Sequence, residues 1–151
     1  MIFRHVSREE GLATIQEAIQ SFREVAAHPE SMVQQRIMLP VSRTVHAGMM
    51  LQSPDSATRR AAPAEARAAM GALVALQGSG IDPVVLGPHT VRAQYALSET
   101  LAGVGEHAAA QRERRAMETR LNALRGSLSA EEFTALRREV QPVRVRPTQR
   151  N

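Results

Sequence analysis

The side chains best able to move a proton or bind a metal in this 151-residue chain are its five histidines, His5, His28, His46, His89 and His107. None of them stands in the H-E-x-x-H or E-x-x-H spacing that sets ligands on one helical face. Glu24 and His28 are four apart, which fits a histidine favoured by a helix C-terminal dipole better than half of a metal site. Glu106 and His107 are adjacent, so on a helix they point in different directions. The carboxylate pairs Glu9-Glu10 and Glu131-Glu132 fall in the first turn of capped helices, where the dipole accounts for them without catalysis. Gly78-Ser79-Gly80 follows a helical segment and lacks the further glycine and the lysine of a phosphate loop, so it reads as a linker. Ser42 and Ser98 have no nucleophile elbow around them. With no cysteine there is no thiol nucleophile, thiolate zinc site, iron–sulfur cluster or disulfide. All 19 basic residues are arginine, which leaves no lysine for Schiff-base chemistry. The expectation is a chain that is not an enzyme, with no catalytic residue, no metal, no cofactor and no small-molecule substrate.

Arginine chemistry remains. The formal net charge is +4, but acids and bases interleave along most of the chain, whereas a nucleic-acid binder gathers its charge in one patch. Arg59-Arg60, Arg114-Arg115 and Arg137-Arg138 are pairs, and Arg137 and Arg138 have Glu131, Glu132 and Glu139 within helical reach. Only the end is one-sided: Arg144, Arg146 and Arg150 follow Glu139 with no acid between them. Those three are the candidate nucleic-acid contacts, and a nucleic-acid-binding accessory or regulatory protein is the alternative reading. The stacking aromatics that single strands require are scarce, at 3% of residues.

The elements that would position any site are helices. Few aromatics force a core of Ala, Leu, Val, Ile and Met, which suits helices at close range. Ser7 and Glu10 have the spacing of a capping box, and Leu12, Ile15, Ile19, Phe22 and Ala26 then recur every three or four residues. A second helix is expected from Glu30 to about Leu51, striped by Met38, Val41, Val45 and Met49 and kinked or broken at Pro40. Gln52 to Ser56 reads as a loop, Ala61 to Gln77 as a third helix with Ala66, Met70, Leu73 and Gln77 on its face, and Ile81 to Pro88 as a connector. From about His89 towards Arg125 the pattern predicts one long helix of roughly 55 Å, weakened at Gly103 and Gly105. Ser129 and Glu132 form another capping box, with Leu128 and Phe133 as the staple that opens a short last helix.

The expected fold is therefore all-α: about five helices, with a long C-terminal helical arm or hairpin and a flexible basic tail. Its divisions are an N-terminal helical bundle over 1–80, a long helix plus short capped helix over 81–140, and a mobile Arg-rich tail over 141–151. Met117, Leu121, Leu124 and Leu128 resume apolar heptad spacing after a polar stretch. An arm that leaves the core cannot expose such residues at ~1.5–3 kcal/mol each. With Phe133 and Leu136 they are the candidate protein interface. The start reaches charge too soon for a signal peptide, and no run approaches the ~18–20 apolar residues of a membrane span. The function expected is that of a helical assembly or adaptor component in the cytoplasm, partnered by itself or by a larger complex such as a phage particle, secretion system or mobile-element complex.

Overall fold

The computed structural model describes residues 7–141 and consists of six α-helices, with no strand among the described residues. In chain order they are α1 (Arg8–Ala27), α2 (Val33–Leu51), α3 (Ser56–Gly78), α4 (Pro83–Gly103), α5 (His107–Ala123) and α6 (Ala130–Glu139). The helical bundle expected from composition is thus present, with one helix more than the pattern suggested.

The caps explain most of the boundaries. Ser7 and Glu10 satisfy each other's backbone N–H at the start of α1, and Ser129 and Glu132 do the same for α6. Asp55 accepts the Thr58 amide at 2.8 Å and opens α3 five residues before Ala61, inside the stretch read as a loop. Asp82 accepts the Val84 amide at 2.9 Å with Pro83 as the first helical residue, so the expected connector is instead the first turn of α4.

The long helix from His89 to Arg125 does not form. α4 stops at Gly103, and the Glu106 amide bonds the Leu101 carbonyl at 2.9 Å while the Gly105 amide bonds that of Ala102 at 3.1 Å. These are the two bonds of a Schellman motif, and Gly105 takes the left-handed φ of +88° that the motif demands. The chain reverses, and α5 returns antiparallel along α4, bringing Arg114 to Glu99 and Leu124 beside Gly87. A β-carbon on Gly87 would lie 2.5 Å from a Leu124 methyl, so the two helices meet there at glycine distance.

Pro40, Pro63 and Pro88 lie inside α2, α3 and α4 without ending them. Each sits in the second turn, where a missing amide strands a carbonyl of the first turn and leaves the rest of the ladder intact. The expected break at Pro40 is absent for that reason. Buried side chains of α4 join every apolar cluster: Leu86 and Ala93 with Ile37 and Leu73, Leu97 and Leu101 with Ala47 and Ala66, and Val91 with the residues of α5 and α6. Helices from both sides of Gly80 therefore share core. α1 is the exception, since it has no residue in these clusters and lies chiefly against α2, held at one end by the Arg8 guanidinium donating to the Gln52 carbonyl at 2.6 Å. Of its stripe only Ile19 is buried; Leu12, Ile15, Phe22 and Ala26 are half-covered.

Gly105→Ala should lower stability by about 1–2 kcal/mol, because an L side chain in the left-handed region meets the following carbonyl. Thermal melting followed by circular dichroism checks this, and an unchanged midpoint contradicts the Schellman turn.

Candidate functional site

Met117, Leu121, Leu124, Phe133 and Leu136 are buried, and Leu128 half-buried, in one cluster with Val91 of α4 and Val140 at the end of α6. All six sequence-chosen residues thus come together, but within the chain. α5 folds back on α4 and α6 closes over both, so the docking face expected of a protruding arm is interior surface here. Arg92 of α4 fixes α6 from outside by a two-pronged contact with Glu139, Nε to Oε2 at 2.6 Å and Nη2 to Oε1 at 3.1 Å. That guanidinium holds the Glu139 carboxyl below its ordinary 4.5, and the carboxylate raises Arg92 in return. Arg125 covers the Phe133 ring, 5.3 Å from its centre, and Arg114 pairs with Glu99 while lying 6.0 Å from the Tyr95 ring centre. Burial raises the Tyr95 hydroxyl, and burial together with Arg92 lowers His89. The candidate nucleic-acid residues Arg144, Arg146 and Arg150 lie outside the described residues.

One polar constellation had no signal in local spacing. Buried His46 on α2 approaches Glu65 on α3, Nδ1 to Oε1 at 3.3 Å, and Arg43 reaches the same oxygen at 3.4 Å. The partners are about twenty residues apart, so only the crossing of α2 and α3 joins them. The arrangement stitches two helices together. Gln94, also buried, donates to Glu113 at 3.1 Å while its carbonyl oxygen has no partner. No group of three or more His, Asp or Glu side chains suited to a metal occurs among the described residues. Two clefts beside α5, of about 210 and 230 Å³, fall below the ~300–1,000 Å³ usual for small-molecule sites, and a shallow one of about 480 Å³ lies beside Glu24, His28 and Glu30 at the α1–α2 turn.

One surface that monomer packing leaves unfinished is on α2; Val74, Val84 and Val85 are exposed elsewhere. The helix buries Ile37, Pro40, Ser42, His46 and Ala47, whereas Met38 is 38% and Val45 50% exposed, with Val41 and Met49 half-buried. Of the stripe predicted to face the bundle, Met38 and Val45 therefore point away from it, whereas Val41 packs against the edge of the Ile37–Leu73–Leu86 cluster. The residues that do face inward, two of them polar and one a proline, carry a weaker apolar signal than those that do not. α1 runs along one margin of the stripe, where Gly11 comes within 2.9 Å of the Met49 methyl as measured from an added β-carbon. α4 forms the other margin, where Gly103 abuts Leu51. Among known proteins, no family model, curated protein or solved structure matches this chain.

Two measurements follow. Leu121→Glu with Leu124→Glu should unfold α4 to α6 and reduce helicity by circular dichroism, as removing buried apolar groups and burying charge both demand; a variant that keeps its melting midpoint contradicts their burial. Glu139→Gln should cost at most about 1 kcal/mol, since both partners are partly exposed. Its clearer signature is in acid. Because the folded carboxyl titrates below 4.5, its stabilisation is complete above that pH and is lost as the pH falls through the folded value. The variant's stability should accordingly fall less steeply than the wild type's below about pH 4.5.

Proposed function

We propose that this chain is a non-enzymatic helical assembly or adaptor component that acts through protein–protein contacts. The observation carrying this reading is the α1–α2 edge. On it, an apolar stripe of one helix and four of the five stripe residues of its neighbour are left partly open to solvent. Covering exposed apolar surface yields roughly 25 cal/mol per Å², so an edge of this kind favours association. The six residues first expected to dock, from Met117 to Leu136, serve the reading differently, because they hold α5 and α6 against α4 within the chain's own core.

The arginines lend less to the nucleic-acid alternative. Arg59 donates to the carbonyls of Ser53 and Pro54, both at 2.7 Å, and Arg43, Arg92 and Arg114 are paired with carboxylates. Guanidinium groups engaged inside the fold have fewer donors for phosphate.

Size-exclusion of extracts from cells producing the labelled full chain tests the proposal. The wild type should migrate well above its own mass and Val45→Glu at its own mass, both unaffected by nuclease. Wild type at its own mass overturns the reading, and a large species dissolved by nuclease replaces it with the nucleic-acid one.

A further inference from the structure

Within the α2 stripe, Gly48 is anomalous. It lies in the body of a helix, where glycine is less favourable than alanine, and a β-carbon built on it meets nothing within 4 Å. Close packing inside the chain accounts for the helical glycines Gly11, Gly87 and Gly103, but not for this one or for Gly71 of α3. Met38, Val41, Val45 and Gly48 follow one another at spacings of three, four and three, which is the spacing of a coiled-coil seam. Position 43 is the midpoint of both the 38/48 pair and the 41/45 pair. A two-fold axis there would set a second α2 antiparallel to the first, with Met38 opposite Gly48 of the other copy and Val41 opposite Val45. The largest side chain of the seam meets the position that has none, twice, by symmetry. Gln34 and Gln52 fall opposite each other at the two ends, closing the apolar seam with amides.

The electrostatics agree. The only charged residues of α2 are Arg36 and Arg43, and at ~100° per residue both project from the side opposite the seam. Arg43 is turned towards Glu65 of α3, and Arg36 donates to Ser31 at 3.0 Å. No like charges would therefore meet across the axis. α1 runs beside the seam with its stripe half-covered. Two α1–α2 hairpins so joined make four helices that bury what each hairpin leaves open.

We infer that the partner of this edge is a second copy of the chain, joined through antiparallel α2 helices in a four-helix contact centred on position 43. The inference rests on the assembly reading above and names its partner. Light scattering on the purified full chain at about 100 µM, within the concentration range where such contacts are measured, should give twice the chain mass. Val45→Glu should weaken the dimer by about 100-fold or more, because a carboxylate enters the seam twice, while helicity stays unchanged because the site is exposed in the monomer. The register has its own test in a chain without native cysteine. Positions 38 and 48 are about 15 Å apart along one helix, beyond the ~4.4–6.8 Å between Cα atoms that a disulfide spans. Met38→Cys with Gly48→Cys should therefore link two chains on mild oxidation, and Met38→Cys alone should not. A monomer at this concentration, a dimer indifferent to Val45→Glu, or equal linking by the single variant each overturns the two-fold contact. In those cases the assembly reading stands or falls separately, on the extract measurement.

Discussion

The bundle depends on one helix being buried from several sides at once. α4 contributes Leu86, Ala93, Leu97, Leu101 and Val91 to the apolar clusters, and no cluster forms without it. Such a helix has little room for large side chains or free polar groups, and its sequence obeys both limits. Its glycines at 87 and 103 admit Leu124 and Leu51 at distances a β-carbon would forbid. Thr90, Ser98 and Thr100 return their hydroxyl protons to the carbonyls of Leu86, Tyr95 and Leu97, so three buried hydroxyls are satisfied inside the helix that carries them. Of the buried polar side chains of α4, Gln94 looks outward, to Glu113, and ties the α4–α5 hairpin together with the Glu99–Arg114 pair.

The prolines and caps show how the flanking helices are brought to that centre. A proline in the second turn removes one hydrogen bond near a helix start, where relatively little structure lies upstream to be misaligned. Asp55 and Asp82 begin α3 and α4 immediately after short loops, which keeps the helices antiparallel and the core continuous. The Schellman turn at Gly105 then sends α5 back along α4. Once α5 returns, its apolar residues have a partner in the same chain.

Helix content and the two Ser–Glu capping boxes were legible in the sequence, because both are written in local spacing. The Met117 to Leu136 residues were also legible as a set that must be covered, although the set alone does not say whether an outside chain or the chain's own α4 covers it. What decided the matter was the left-handed turn at Gly105, a residue that composition treats merely as a weak helix former. The orientation of α2 was misread for a related reason. Amphipathic spacing identifies a stripe that avoids water, and Met38, Val41, Val45 and Met49 form the cleaner stripe; the bundle instead took the side with Pro40, Ser42 and His46, where small or hydrogen-bonded groups allow α3 and α4 to approach. The His46–Glu65–Arg43 contact joins helices through side chains far apart in sequence, so no local pattern announces it.

The unequal attachment of α1 has a kinetic meaning. A helix packed chiefly on its neighbour, with no residue in the clusters built on α4, can detach and re-form without dismantling them. Its amides would then exchange with deuterated solvent through a low-energy local opening, while those of α4 wait for the whole domain to unfold. In that sense α1 is less tied to the core than α4, and it carries part of the uncovered edge. Association there would raise the protection of α1 towards that of the remainder, coupling the order of its first helix to the presence of a partner.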